Sequence, residues 1–198
     1  KSYRPIDAKP VVKNGYNTLE IKLPLDKPDD MPADAPKRFQ PLPLVEASTF
    51  DSWAQVSAVM APLYATDGTI APGSPLAGEV AKIKAASSDP RTRAAMALEL
   101  VQEKVRYLFN GMDGGNYKPQ SPADTWRMRY GDCKAKTLLL LAILHELDIE
   151  SQPALASIEL GDLVPERLPS AAAFNHVLVR ATIGGQTLWL DGTKSGDR

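Results

Sequence analysis

The sequence of 198 residues has one cysteine, two histidines and almost no net charge, and each scarcity excludes a class of protein. A single cysteine cannot form an internal disulfide, and with two distant histidines it lacks the ligand spacing of a structural zinc site. A formal net charge of -1 provides no basic excess for nucleic acid. The longest apolar run, residues 138–144, is much shorter than the about 20 residues that span a bilayer. We therefore predict no metal, no cofactor, no nucleic-acid partner and no membrane span in this chain.

Proline is concentrated at the start of the chain, where residues 1–47 hold eight of the 17 prolines. Within this region YNTLEIKLPL alternates apolar and polar residues from Tyr16 to Leu23, which is typical of a half-buried strand. The following DKPDDMPADAPKRFQPLPL has too many prolines for a helix or a central strand. We predict that residues 1–47 form an extended arm and that residues 48–198 form the folded core. Because the chain begins KSYRP without an initiator methionine, we also expect it to be a piece of a longer protein.

After the arm, helical patterns come first and strand patterns follow. Helices are predicted within residues 48–64, 74–86 and 89–109, and a further helix begins at Cys133 after a loop over residues 110–125. Strands are predicted within residues 151–160 and 174–193, the latter folded into a hairpin through Gly184-Gly185. Helices followed by an antiparallel sheet indicate an α+β fold.

The lone cysteine stands at the start of the last predicted helix, in RYGDCKAKT. Asp132 is a good N-cap, so Cys133 falls in the first turn, where free N–H groups and the helix dipole favour an anion. Lys134 and Lys136 add positive charge. This setting favours a thiolate, the nucleophilic form of cysteine. The alternative is that Cys133 is a small buried hydrophobe, since the apolar run 138–144 buries the helix in either case.

A nucleophilic thiol needs a base, and the chain has only two histidines. His145 lies 12 residues beyond Cys133 on the same predicted helix, which places it roughly 18 Å away at 1.5 Å per residue. It therefore cannot reach the thiol, and a place at the helix C-terminus is its expected role. His176, in FNHVLVR, is the remaining candidate.

The predicted hairpin brings His176 close to a carboxylate. If the chain turns on Gly184-Gly185, Leu178 pairs with Asp191, and His176 lies two residues from Leu178 on the same face. His176 and Asp191 are then diagonal neighbours within side-chain reach. An odd number of loop residues would place them on opposite faces. A carboxylate, an imidazole and a thiol in this order are the parts of a Cys-His-Asp site, although each residue alone also fits an ordinary structural role.

Two stretches resemble a known family. RYGDCKAKTLLLLAILHELDIESQPAL and FNHVLVRATIGGQTLWLDGT are similar to the bacterial transglutaminase-like superfamily, with a GDC-K helix start, an N-H-V strand and a W-L-D-G strand in the family's order. The similarity extends upstream through VRYLF and GGNYKPQSPADTW and covers residues 48–193. One departure is Ala135, where relatives often have an acid. The proline-rich start resembles the end of an uncharacterised β-rich domain that precedes this core in many bacterial proteins.

The resemblance implies a papain-like α+β core in which the cysteine helix packs on an antiparallel sheet. It also implies that Cys133 is the nucleophile, His176 the general base and acid, and Asp191 the residue that orients His176. Tyr117 and Gln120, on the loop before the cysteine helix, are candidates for a second oxyanion donor, with ordinary loop residues as the alternative.

Members of the superfamily cross-link glutamine to amines, hydrolyse peptides or amides, or have lost activity. We therefore expect cysteine-dependent acyl transfer or hydrolysis on a protein or peptide carboxamide, through a thioester and without a cofactor. The alternatives are a cysteine peptidase or amidase of the same fold, and a non-catalytic binding or scaffold module. The resemblance further implies an upstream β-rich domain in the full-length protein and a periplasmic or secreted location.

Overall fold

The computed structural model describes residues 9–24, 30, 32–35, 46–112 and 116–196. The helices are α1 (Trp53–Met60), α2 (Pro75–Ala86), α3 (Pro90–Lys104), α4 (Pro122–Met128) and α5 (Cys133–Glu146). The strands are β1 (Val11–Lys13), β2 (Tyr16–Thr18), β3 (Arg106–Tyr107), β4 (Tyr130–Gly131), β5 (Ser151–Ala156), β6 (His176–Ile183) and β7 (Gln186–Leu190). Short 3₁₀ helices cover Ala61–Tyr64, Gly161–Glu166 and Ala171–Ala173. Helices precede an antiparallel sheet, so the α+β prediction is confirmed.

Helix α5 is the centre of the core. It contacts the helices α3 and α4 and the strands β5 and β6. Its middle turns, Leu139–Leu141 and Ile143–Leu144, have no solvent-exposed surface. These residues are apolar around the whole circumference of the helix, as expected of a helix enclosed by other elements.

The antiparallel sheet supplies the surface on which α5 packs. Its strand order is β5-β6-β7. On the central strand β6, Val177, Val179 and Ala181 are wholly buried and belong to the same core cluster as α5, while the residues between them are half-buried. The Thr137 hydroxyl of α5 donates to the Val177 carbonyl at 3.0 Å and ties helix and strand together. His176, at the start of β6, belongs to the half-buried set.

Local capping rules account for where most helices begin. Ser74 caps α2 by accepting from Ala77 N, and Asp89 caps α3 by accepting from Thr92 N at 2.8 Å. Proline occupies the first position of both helices, where its missing N–H costs nothing. In α1 the buried residues are Val56 and Met60, whereas Val59 is exposed.

Two predicted boundaries are wrong. The third helix was expected to continue to residue 109, but α3 ends at Lys104 because the chain becomes extended and β3 pairs in parallel with β4. The loop predicted over residues 110–125 contains the start of α4, whose N-cap is Ser121. The sequence SPAD has the N-cap serine, first-turn proline and first-turn acid of a helix start, so this signal was present in the sequence.

The predicted strand over residues 16–23 is shorter than expected. Strand β2 ends at Thr18 and, among the residues that the structure describes, pairs with β1 alone; the large side chains of the hairpin, Val11, Val12 and Tyr16, are exposed. A two-stranded ribbon has no second surface against which to bury one face. Much of the proline-rich segment, residues 25–29, 31 and 36–45, lies outside the described residues, and the boundary at residue 47 stays a prediction.

Candidate functional site

Cys133 is the first residue of α5, and its side chain is 3% exposed. The predicted N-cap is present, since Asp132 Oδ1 accepts from Ala135 N at 3.0 Å. The thiol therefore lies at the end of the helix where N–H groups are unpaired and the dipole is positive. Gly131 makes this entry to the helix sterically possible, because a Cβ there would be 2.8 Å from Ala135 Cβ.

The two lysines after Cys133 are buried, not solvated. Lys134 and Lys136 are each 1% exposed. Lys134 Nζ contacts Asp132 Oδ2 at 2.5 Å and donates to the Asn110 carbonyl at 2.9 Å, while Lys136 Nζ donates to the Val105 carbonyl. Burial lowers the pKa of Lys136 to about 8, against the opposing effect of the nearby Asp191 carboxylate.

The hairpin has the register predicted from the sequence. Val179 pairs with Leu190 and Ile183 with Gln186, so that the turn falls on Gly184-Gly185. His176 and Asp191 consequently share a face, and His176 Nε2 lies 2.9 Å from Asp191 Oδ2. Nδ1 is the ring nitrogen left for another partner.

Asp191 is held from several directions. Its Oδ1 accepts from Thr193 N at 2.9 Å and from Thr193 Oγ1 at 2.7 Å, which leaves Oδ2 for His176. Its backbone carbonyl accepts from Gln102 Nε2 of α3 at 3.0 Å. A carboxylate fixed in this way can hold an imidazole in one orientation.

Hydrogen bonds shift the pKa values of both members of the pair. The hydrogen bond with Asp191, followed by the interaction with the nearby Cys133 side chain, raises the pKa of His176 to about 9 although burial opposes this. Burial acts to raise the pKa of Asp191, but hydrogen bonds from His176 and Thr193 outweigh it and lower the value to about 2. The structure thus pairs His176 with Asp191, and Cys133 is near enough to contribute to the pKa of His176.

A cleft of about 300 Å³ lies beside the start of α5. Gly131 and Asp132 form part of its wall, and Gln120 lies on the wall formed by the loop before α4. The Gln120 amide nitrogen is 2.9 Å from Met128 Sδ. The remaining residues that line the cleft are Leu108, Asn110, Asn116, Lys118, Pro119 and Tyr130.

Tyr117 is placed differently from Gln120. Its ring is partly buried against Val56, Met60 and Met112, in a cluster separate from the main core. Of the two candidate oxyanion donors, therefore, Gln120 borders the cleft and Tyr117 contributes to packing.

His145 and Trp126 both have structural roles. His145, near the far end of α5, bonds Thr66 Oγ1 through Nδ1 at 2.6 Å and the Ser151 carbonyl through Nε2 at 2.9 Å. Trp126 is buried beneath the guanidinium of Arg129, which lies 3.6 Å from the ring centroid. Within the described part of the chain, no group of three or more His, Cys, Asp or Glu is arranged to hold a metal, and no helix is both long and apolar enough to cross a membrane.

Sequence reasoning missed Tyr107, which pairs with Gly131 across β3 and β4. Burial raises the pKa of its phenol, followed by the effects of Cys133, Asp132 and Asp191 nearby. The segment VRYLF carried part of the family resemblance, and this was the available signal. Without the β3–β4 pairing, however, nothing in the sequence places Tyr107 beside the cysteine helix.

No protein-family model and no curated protein matches the chain. Two solved structures are similar to it. One is named a putative protease from Parabacteroides distasonis, with a TM-score of 0.74 and 18% identity, covering 96% of this chain and 36% of that one. Another is named a putative cysteine protease from Cytophaga hutchinsonii, with a TM-score of 0.47 and 17% identity, covering 69% and 42%. The first comparison shows a shared fold. This chain spans 36% of the length of that similar protein.

The buried Asp132–Lys134 pair leads to a stability prediction. Asp132→Ala should lower the free energy of unfolding by about 3–5 kcal/mol, because it removes a cap and leaves a buried ammonium without its counter-charge. Ser74→Ala, which removes only a cap from α2, should cost about 1 kcal/mol. Urea denaturation of both variants measures the difference. Equal losses would mean that the ion pair does not matter to stability.

The His176–Asp191 pair predicts a pH dependence of stability. The pKa of His176 is about 9 in the folded protein and about 6.5 unfolded, so its contribution is complete below pH 6.5 and is lost as the pH rises through 9. The free energy of unfolding of the wild type relative to His176→Gln should therefore fall by about 2–3 kcal/mol between pH 6 and pH 9.5.

Urea denaturation at both pH values measures this fall. Asp191→Asn should remove most of it, because the uncharged amide no longer stabilises the imidazolium. A difference between wild type and His176→Gln that is the same at pH 6 and pH 9.5 would contradict the pairing.

Proposed function

We propose that this protein is a cysteine-dependent acyl-transfer enzyme with a papain-like, transglutaminase-like core. The observation that carries the proposal is the arrangement of a thiol at a helix N-terminus, an imidazole whose pKa that thiol helps to raise, and a fixed carboxylate 2.9 Å from the imidazole. The packing of the cysteine helix on an antiparallel sheet supports the papain-like assignment. Similarity to the fold of a protein named a putative protease agrees with it.

We assign the roles of the three side chains as follows. The Cys133 thiolate attacks the carbonyl carbon of a carboxamide, forming the C–S bond while the carbonyl electrons move to oxygen. His176, protonated at this stage, gives its proton to the departing amine or ammonia as the C–N bond breaks and the thioester forms. His176 then accepts a proton from water or from an acceptor amine, which attacks the thioester and releases Cys133. Asp191 keeps the imidazole oriented in both halves of the reaction.

The start of α5 is suited to stabilising the negative oxygen. Backbone N–H groups of the first turn are free of intrahelical partners and lie next to the attacking sulfur. Gln120, on the wall of the adjoining cleft, is the side chain that we assign as a second donor. In this role the Gln120 amide nitrogen would release its contact with the Met128 sulfur and donate a hydrogen bond to the substrate oxygen instead.

The cleft also indicates the class of substrate. Three of its lining residues are carboxamides, Asn110, Asn116 and Gln120, which can both donate to and accept from peptide groups. Tyr130 and Leu108 add apolar surface. We therefore propose a protein or peptide carboxamide as the acyl donor, in keeping with a periplasmic or secreted enzyme that acts on other polypeptides.

Alkylation provides the first test. Iodoacetamide at pH 7 should modify Cys133 of the native protein about 10-fold faster than it modifies His176→Gln, since the imidazole promotes the thiolate. His145→Gln changes the other histidine, at the far end of α5, and should react at the wild-type rate. Equal rates in all three proteins would remove the support for a nucleophilic thiol and favour a binding or scaffold module.

Turnover provides the second test. Mass spectrometry of glutamine-containing peptides, incubated with and without a primary amine, should detect amine adducts, deamidated products or cleaved products that require Cys133. Asp191→Ala should lower the rate of product formation by about 10²–10⁴-fold, because the imidazole loses its orientation. The circular dichroism spectrum of the variant serves as the folding control. A correctly folded Asp191→Ala protein with wild-type turnover would exclude Asp191 from the mechanism.

A further inference from the structure

Lys136 has an unusual position for a charged residue. Its side chain is buried, and the ammonium donates to the carbonyl of Val105, where α3 gives way to β3. The Asp191 carboxylate acts on Lys136 electrostatically, in the direction that raises its pKa. Among the described contacts there is no direct hydrogen bond between the two side chains. A buried lysine without a bonded carboxylate is costly, so its place here calls for a function.

The aliphatic part of Lys136 lies against the two glycines that border the site. A Cβ placed on Gly192 would be 3.6 Å from Lys136 Cβ and 3.1 Å from Val101 Cγ1. A Cβ placed on Gly131 would be 3.8 Å from Lys136 Cγ. Gly131 comes two residues before Cys133, and Gly192 comes directly after Asp191. The Lys136 side chain is therefore close both to the segment that carries the thiol and to the segment that carries the carboxylate.

We propose that Lys136 is a positioning residue, whose buried stem sets the distance between the Cys133 and Asp191 segments and whose amine fixes that stem to Val105. The inference rests on the proposed function, since it concerns the same three side chains. No contact between Lys136 and substrate is proposed. Its effect passes through Asp191, whose hydrogen bond to His176 depends on where the Asp191–Gly192 backbone lies.

The position of Asp191 can be measured through the ionisable groups that surround it. His176 faces its carboxylate from β6, Lys136 approaches from α5, and Tyr107 from β3. From α3 the contact is the neutral amide of Gln102. His176 is the titrating group whose pKa depends most on Asp191, so its imidazole reports whether Asp191 is in place.

The main test is an NMR titration of His176 in Lys136→Met. Methionine retains an aliphatic stem but has no N–H for Val105. The midpoint for His176 should fall from about 9 in the wild type by about one unit or more towards 6.5, because the hydrogen bond to Asp191 weakens. The chain has only two histidines, and His145→Gln identifies the signal.

The direction of the change separates geometry from charge. Loss of a positive charge near the pair would raise the midpoint, not lower it. Moreover, with a pKa of about 8, Lys136 is largely neutral where His176 titrates, yet a neutral amine still donates to Val105. A fall therefore reports displacement of Asp191. Lys104→Met, the same substitution at an exposed lysine in the last turn of α3, should leave the midpoint unchanged.

Gly192→Ala tests the same contact from the other side and serves if Lys136→Met does not fold. The backbone of Gly192 is not in the left-handed region, so the added methyl acts through its contacts with Val101 and Lys136. It should lower the His176 midpoint in the same direction. Gly78→Ala, in a helix where a Cβ meets nothing within 4 Å, is the matched control.

Kinetics complete the test. Lys136→Met should lower kcat by about 10-fold or more and change KM by less than about 3-fold, as expected of misplaced reacting groups. An unchanged or raised His176 midpoint in folded Lys136→Met or Gly192→Ala overturns the inference. A lowered midpoint in a protein whose wild type turns over no amide supports the positioning role and removes the proposed function instead.

Discussion

The protein encloses charge at the start of its central helix, and much of the architecture follows from that burial. An ammonium group removed from water costs several kcal/mol unless acceptors replace the solvent. The Lys134 ammonium pairs with the Asp132 carboxylate and donates to the Asn110 carbonyl, and the Lys136 ammonium donates to the Val105 carbonyl. The chain between Val105 and Asn110 must therefore run past the first turns of α5. This is the same stretch that forms β3, pairs with β4 and supplies one wall of the cleft.

The candidate site combines this enclosure with two rules of local structure. An N-cap determines where Cys133 lies on its helix, and the parity of a two-residue turn determines which face of the sheet carries Asp191. Cys133 is the first residue of α5 and Asp191 directly follows the last residue of β7, and regular elements hold a reacting geometry with greater precision than long loops. His176 is the member that joins the two, and it stands at the first residue of β6.

Features that depend on residues close together in the sequence could be predicted from it. The Asp132 cap and the His176–Asp191 pairing needed only the residues around one helix start and one hairpin. The burial of Lys136 could not be predicted, because its acceptor at Val105 lies 31 residues earlier and reaches it only through tertiary packing. For the same reason, α3 was expected to be longer than it is. The pattern after Lys104 fits a helix locally, but pairing with β4 overrides that preference.

Cys133 belongs to α5, in which every residue from Cys133 to Leu144 is buried. Native-state hydrogen exchange in such a helix proceeds through global unfolding, so its amides are among the last to exchange. Cys133 is 3% exposed and does not line the cleft, so a reagent in the cleft reaches the thiol only after the side chains around it shift, which does not require the helix to open. Access to the sulfur and opening of the backbone are thus separate motions with separate energetic barriers. Sequence change in the cleft wall can alter which molecules reach Cys133 while the lifetime of the folded state remains set by α5.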